Sequence, residues 1–470
     1  MRFRHRKGSY FELVVKIIKS FIMAKNIVGF NADYPNITQS LKMYKRGLKV
    51  QKPITQTLAK GPGQFSLGAS PIYLKRGKGA RVWDLDGNEY LDYNAAIGPL
   101  SLGYCYPAVD NAIKKQLKDG ITFSLMHPLE VEVSELIKSI IPNAEAVKIS
   151  KTGADVCSAA VRVARAFTKR DKIFCCGYHG WHDWYIGITS RNLGIPESTQ
   201  NLTYTFEYND IESIKASLDK DVAALILEPF IFEAPKPGFL KELAAVCKAN
   251  GTLLIFDEMW TGFRVAIGGA QEYFDVKPDL AVYSKACANG MPIAFLTGRA
   301  DVMELFNKEV FSYTTFGGET LSLAACKATI NELIKHNVPK YLDEKGALLK
   351  DGYNSIAKKH GVDKYTKCFG YNCRSMVIFT PEAGNGLEVK TFMQQEMIKR
   401  GILWAGFHNM CFSHSDEDIA YTLSVYEEVL PLLKEAIESN TVAEKLRGKV
   451  LEAVFRKTTN YNIKPKLQPA

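Results

Sequence analysis

An α/β architecture, with a large mostly parallel sheet domain and a small α/β domain, follows from three features of the 470-residue sequence. Short apolar runs rich in β-branched residues recur between turn residues, at 172–176, 223–227, 253–256 and 280–283. Runs of that length read as strands buried on both faces of a parallel sheet. A helical stretch at 240–250 separates two of them, which is the strand–helix alternation of a parallel α/β sheet. Two of the runs lead into reactive side chains, Asp257 and Lys285. Ligands of open α/β sheets lie off the carboxyl ends of the strands, so both groups reach the ligand edge.

Length and composition bound the rest. A chain this long exceeds one ordinary core, and two or three domains are expected. A hydrophobic content of 46% and an aromatic content of 11% indicate a globular protein. No uninterrupted apolar run reaches the ~18–20 residues of a membrane span. The net charge of +10 is unevenly placed: residues 1–80 carry 16 Lys/Arg against 2 Asp/Glu, and the rest of the chain sums to −4. The basic excess thus belongs to an N-terminal extension, not to a folded basic face with base-stacking aromatics, and nucleic acid is not an expected partner. The ten cysteines form no Cys-x-x-Cys pair, and Cys175-Cys176 falls in a strand-like run. They read as reduced, buried thiols of a cytoplasmic protein.

Residues 1–50 begin with Arg2, Arg4, Arg6 and Lys7, ahead of an apolar stretch broken by Lys16 and Lys19. A transit peptide, a surface amphipathic helix and a true start at Met23 all fit this stretch. Further on, Asp86-Gly87 between two β-rich runs signals a hairpin. A glycine-rich turn follows at Gly98-Pro99-Leu100 and Leu102-Gly103, then a helix over 108–117 that ends by Gly120. The strand at 147–150 runs into Thr152-Gly153-Ala154-Asp155 and a helix to about residue 167. Strand, small residues and helix N-terminus make an anion site, because free N–H groups and the helix dipole face the same point.

The strand at 172–176 delivers Tyr178-His179-Gly180. His179, His182 and Asp183 have a spacing that partly suits a metal, but no further ligand cluster accompanies them and no metal is expected. The strand at 223–227 ends in Glu228, which by itself is an ordinary acid at a strand end. Asp257 alone reads as a helix cap, and Lys285 alone as a solvated lysine. Together at one sheet edge they suit pyridoxal 5'-phosphate (PLP): a lysine forms its Schiff base, and a carboxylate pairs with its pyridinium nitrogen. The C-terminal part reads as the small α/β domain, with a strand at 374–380, a helix at 389–400, the segment 411–413 and an amphipathic helix at 416–438.

The segment Asp257-Glu258-Met259-Trp260-Thr261-Gly262-Phe263-Arg264, with Lys285 about twenty residues on, resembles the class III PLP-dependent aminotransferases. Gly-Ala-Gln at 269–271, Pro278-Asp279-Leu280 and Gly290-Met291-Pro292 resemble the glutamate-1-semialdehyde 2,1-aminomutase branch most. The resemblance covers roughly residues 60–435. It implies fold type I: a seven-stranded-type sheet with helices on both faces, plus a small domain built from both ends of the chain. The implied division is a basic extension at 1–50, small domain at 51–110, large PLP domain at 111–340, small domain again at 341–440 and a basic tail at 441–470.

The resemblance also implies roles. Lys285 carries the Schiff base, Asp257 pairs with the ring nitrogen, Tyr178 stacks on the ring and Met259 packs on its other face. Thr152, Gly153 and Ala154 hold the phosphate, and Glu228 stands in the shell around the ring oxygen and Asp257. Ser312 to Leu321 resembles a T-F-G-G-N-P segment with Glu319-Thr320 in place of Asn-Pro, so Thr315 reaches the phosphate in a neighbouring subunit and a homodimer is implied.

Two departures separate the chain from the aminomutases. Their N-S-P-V-R segment corresponds to Gln64-Phe65-Ser66-Leu67-Gly68-Ala69, which has no arginine. Their C-terminal acid corresponds to His408. The expected reaction is therefore amino transfer from an amino-acid donor to a carbonyl acceptor, such as a sugar or another polar metabolite, with the aminomutase as the alternative. A scaffold that has lost catalysis would not be expected to retain Lys285, Asp257 and Tyr178. A dehydrogenase would carry a Gly-x-Gly-x-x-Gly after an early strand, and none is found.

Overall fold

A computed structural model describes residues 35–453. The readings offered for the first residues, including Met23, and the last part of the basic tail fall outside the described residues. The described chain forms two compact units, one joining the residues up to Ala95 with Glu344–Glu452, the other Ala96–Asp343.

In the first unit, helix α1 (Thr38–Val50) belongs to the stretch read as an extension. Its first turn is held by Asp86, whose two carboxylate oxygens accept from the Gln39 and Ser40 N–H groups at 2.7 and 3.0 Å. An acid at those free N–H groups also opposes the helix dipole favourably. Asp86 sits in the turn of the expected hairpin. Strands β1 (Leu74–Lys78), β2 (Arg81–Asp84) and β3 (Glu89–Asp92) run antiparallel, and Gly87 takes a φ of +92° that favours glycine.

The second unit contains helices α2 (Pro107–Leu117), α3 (Pro128–Ile140), α4 (Gly153–Thr168), α5 (Phe239–Asn250) and α6 (Thr320–Lys335). Its strands are β4 (Ala146–Ser150), β5 (Lys172–Cys176), β6 (Thr203–Thr205), β7 (Val222–Leu227), β8 (Leu253–Asp257), β9 (Leu280–Tyr283) and β10 (Ala294–Gly298). They form one seven-stranded sheet in the order β4-β10-β9-β8-β7-β5-β6. The pairs from β9 to β6 are parallel, and β10 is antiparallel to both its neighbours. The other six strands therefore point one way.

All residues of β7, β8 and β9 are buried, as their unbroken apolar sequences require. On one face Ile226, Ile255, Val282 and Leu296 pack with Val156, Ala160 and Val163 of α4. On the other, Tyr283 stacks on Phe295 and meets Phe263 edge-on. Each such aliphatic or aromatic side chain contributes about 1.5–3 kcal/mol by leaving water.

Back in the first unit, β11 (Thr366–Tyr371), β12 (Arg374–Phe379) and β14 (Phe407–Asn409) form a three-stranded sheet, and β13 (Ile402–Leu403) extends the hairpin sheet alongside β3. Helices α7 (Gly386–Lys399) and α8 (Asp416–Glu438) pack together in this unit. The strand of this region is Phe407–Asn409, and Cys411–Ser413 follows it as irregular chain. No helix among the described residues is long and apolar enough to cross a membrane.

Candidate active site

Because β4, β5, β7, β8 and β9 point the same way, their carboxyl ends share one edge. That edge receives Thr152 after β4, Tyr178 after β5, Glu228 after β7, Asp257 at the end of β8 and Lys285 after β9. Asp257 pairs across the sheet with Val282, three residues before Lys285. The carboxylate and the amine are thus carried on adjacent strand ends.

Asp257 is 1% exposed. Its Oδ1 accepts from the Met259 N–H at 3.0 Å, and its Oδ2 lies 2.7 Å from His179 Nδ1. An ionised carboxylate only accepts, so Nδ1–H donates. The buried Nε2 of the same ring has no hydrogen-bond partner. Cys157 of α4 points its Sγ at the same oxygen from 3.8 Å, and burial, reinforced by that carboxylate, pushes its thiol well above the usual range. A buried carboxylate favours a cationic partner.

Thr152, Gly153 and Ala154 stand where β4 leads into α4. Thr152 caps α4 with a reciprocal pair: its Oγ1 accepts from the Asp155 N–H at 3.2 Å, and the Asp155 carboxylate accepts from the Thr152 N–H at 2.8 Å. One lone pair of the hydroxyl is thus used by the helix, and its proton remains to donate. Gly153 and Ala154 occupy the first turn, where N–H groups have no intrahelical partner. A Cβ at Gly153 would lie 2.9 Å from Met259 Sδ, so the thioether rests directly against this turn.

Tyr178 is half-buried and meets Tyr185 edge-on at 5.5 Å. Its N–H donates to Glu228 Oε1 at 2.8 Å, which gives the buried Glu228 a backbone-holding task. Gly180, at φ +101°, lies against Ala154, where a Cβ would come within 2.7 Å. The Tyr178 loop is thereby laid over the start of α4.

Lys285 adopts a left-handed φ of +49°, which costs a non-glycine residue about 1–2 kcal/mol. Its Nζ stands 3.9 Å from the centroid of the Trp260 ring. Thr315 is exposed on the loop before α6. That loop is tied back by Glu319, which caps α6 and pairs with Lys151 at 2.7 Å, one residue before Thr152.

Sequence reasoning missed Trp260 and Cys157, and saw in His179 only a weak metal ligand. His179 serves Asp257 instead, and His182 Nδ1 is 2.6 Å from Ser158 Oγ. The available signal for His179 was its place beside Tyr178 at the end of a strand on the same edge.

Glu258, next to Asp257, is wholly buried and anchors the following loop. It accepts from the Thr261 hydroxyl and from the Ala270 and Gln271 N–H groups at 2.8 and 2.9 Å. Burial nevertheless pushes its carboxyl up from 4.5 to about 7. The folded form then keeps a proton that the unfolded chain has lost, and stability falls as pH rises between those values. The expected fall is on the order of 3 kcal/mol. Glu258→Gln should flatten it, read as the urea midpoint against pH; an identical slope in wild type and variant would refute this.

A family model described as aminotransferase class-III matches residues 65–409. The chain is 34% identical over 389 residues to the 3-aminobutyryl-CoA aminotransferase of Cloacimonas acidaminovorans, covering 80% of this chain and 93% of that protein. It is 36% identical over 398 residues to a glutamate-1-semialdehyde 2,1-aminomutase of Archaeoglobus fulgidus, covering 77% and 93%. Among solved structures, the PLP internal aldimine form of the FumI protein of Sphingopyxis sp. MTA144 superposes with a TM-score of 0.79 at 26% identity, covering 86% of this chain and 98% of that one.

Proposed function

The chain belongs to the class III aminotransferases, and from that premise we propose that it passes an amino group from an amino-acid donor to a separate carbonyl acceptor. Its cofactor is PLP, as in that class. The residues at the ligand edge suit the group: a sealed carboxylate for a cationic ring nitrogen, a primary amine on the next strand, and a helix N-terminus for a phosphate. The observation that carries the reading is the buried Asp257 carboxylate on the strand end next to the one that leads into Lys285.

When bound, PLP supplies an electron sink for the charge left as a proton departs from the substrate carbon. Lys285 Nζ would hold the cofactor covalently and, as a free amine, would take and return that proton. Asp257, aimed by Met259 N–H and His179, keeps a proton on the ring nitrogen. The Thr152 hydroxyl and the Gly153 and Ala154 N–H groups bind the phosphate. Tyr178 and Met259 enclose the ring, and Glu228 fixes the Tyr178 backbone.

Two features favour transfer between molecules over aminomutase chemistry. Ser66 is 1% exposed, with its N–H given to Gln394 Oε1 at 2.8 Å and its hydroxyl to the Lys449 carbonyl at 2.8 Å. It is occupied by its own unit and not disposed to bind a carboxylate. His408, in the aminomutases' acid position, is buried between Ser375 Oγ at 2.9 Å and the Tyr426 hydroxyl at 2.6 Å. Burial pushes it down to about 3, so it is a neutral core residue. The test uses a nitrogen-15-labelled amino-acid donor with a panel of carbonyl acceptors. Label in the acceptor's product supports the reading; conversion of glutamate 1-semialdehyde to 5-aminolevulinate with no exchange of nitrogen with any donor contradicts it.

We also propose that the working form is a homodimer with Thr315 serving the neighbouring phosphate. Phe123, Leu125, Met126 and Phe316 are exposed, Leu125 and Met126 by 85% and 89%. The two segments adjoin, because the Thr320 N–H donates to the Ile121 carbonyl at 2.9 Å. An apolar face of this kind beside Thr315 suits a second copy. Sedimentation should give a mass of two chains; a monomer that is fully active at assay concentration would refute the proposal.

A further inference from the structure

Trp260 lies within the Asp257 to Arg264 segment, and the reading above gives it no task. Four contacts fix it. The residue before it is tied by the Met259 N–H to Asp257, and the residue after it by the Thr261 hydroxyl to Glu258. The Arg264 guanidinium lies 5.7 Å from the ring centroid, itself almost wholly buried. The six-membered edge of the indole covers Gly98, where a Cβ would fall 2.3 Å from Cζ3 and 2.7 Å from Cη2. Gly98 also holds a φ of +99°, so both the backbone and the indole require glycine there. A ring so anchored is a fixed surface.

That surface meets Lys285 Nζ at 3.9 Å from the ring centroid. This is van der Waals contact, with no room for another heavy atom between nitrogen and ring. The site exchanges one nitrogen for another at the same atom, so an incoming amine must bring its own nitrogen to where Nζ stands. Its amine-bearing carbon then passes within contact of the indole, and bulk on that side of the carbon overlaps the ring.

We propose that Trp260 is a specificity-determining residue: its indole, seated on Gly98, is a fixed wall beside the reacting nitrogen and selects amino donors with slender substituents on the amine-bearing carbon. The inference rests on the assignment of Lys285 as the cofactor lysine. The wall acts on the substrate and not on the cofactor, which separates it from a structural prop.

The test compares wild type with Trp260→Phe and Trp260→Ala, each loaded with PLP. The first half-reaction is followed as loss of the visible band over alanine, 2-aminobutyrate, norvaline and phenylalanine, and over the matching amines without a carboxylate. In wild type the rate constant over KM should fall as bulk rises. In Trp260→Ala the ratio of bulky to slender donor should rise by about tenfold or more, with Trp260→Phe between the two. The change should lie mainly in KM for the bulky donors. The PLP dissociation constant, measured by equilibrium dialysis, should stay within about threefold of wild type, since Trp260 is not one of the residues assigned to hold the cofactor. Gly98→Ala, which pushes the indole out of its seat, should move the donor ratio as well.

A donor ratio unchanged in both Trp260 variants, or an equal loss for all donors with a weakened PLP constant, would overturn the proposal. A wild-type protein that takes up no PLP would instead refute the assignment of the site itself. The two failures are therefore distinguishable.

Discussion

Lys285→Ala is expected to reduce turnover by on the order of a thousandfold or more while PLP still binds. The substitution removes both tasks of the amine, covalent capture of the cofactor and movement of the substrate proton. It leaves Asp257, the α4 N-terminus and Tyr178 in place, so the cofactor keeps its non-covalent contacts. It does not relieve the left-handed backbone, because alanine at φ +49° carries the same cost. The measurement is the single-turnover rate with a good donor, together with borohydride treatment and mass analysis of the product. A variant with more than about a tenth of the wild-type rate would refute the assignment, since no other general base of the site is placed to replace it.

Asp257→Asn should lower kcat by about a hundredfold to a thousandfold, the range for loss of one preorganised electrostatic partner. Shape is nearly unchanged, and the amide oxygen still accepts from His179 Nδ1–H or from the Met259 N–H. What disappears is the negative charge that holds a proton on the ring nitrogen. Cofactor affinity should fall as well, because a buried cation would lose its partner. Replacing His179 by Asn should cost far less, as it reorients the carboxylate without removing its charge. Equal losses in the Asp257 and His179 variants would mean that the pair acts as one unit. An Asp257→Asn enzyme within about tenfold of wild type would remove the carboxylate from the chemistry.

The strands that carry these groups were legible because their sequences are unambiguous. β5, β7, β8 and β9 are short, apolar and bounded by turn residues, and the structure reproduces their limits within a residue. β10 was not read as a strand. Its apolar residues 294–296 follow directly on the small-residue loop after Lys285, and its antiparallel direction has no signature in periodicity. β14 is three residues long and contains His408, too little for an alternating pattern to register.

The site was legible in part for the same reason. Groups that terminate a recognisable strand, such as Asp257 and Glu228, could be placed on the edge by counting. The His179–Asp257 bond joins residues 78 apart on strands separated by β7, so only the strand order brings them together. Trp260 could not be assigned because its partner Gly98 comes from a distant turn. Glu319-Thr320 left the start of the next helix open. The structure resolves it through Glu319, an uncommon cap residue whose carboxylate accepts from the Leu321 and Ser322 N–H groups.

The role proposed for Lys285, to hold PLP and surrender it to an amine, is read in the visible absorption spectrum of the purified protein with PLP, recorded before and after addition of amino donors. A visible band is expected that borohydride fixes onto Lys285, that bleaches with a competent donor and that returns when a carbonyl acceptor is added. No band with added PLP, or fixation of the cofactor to any other residue, would contradict it.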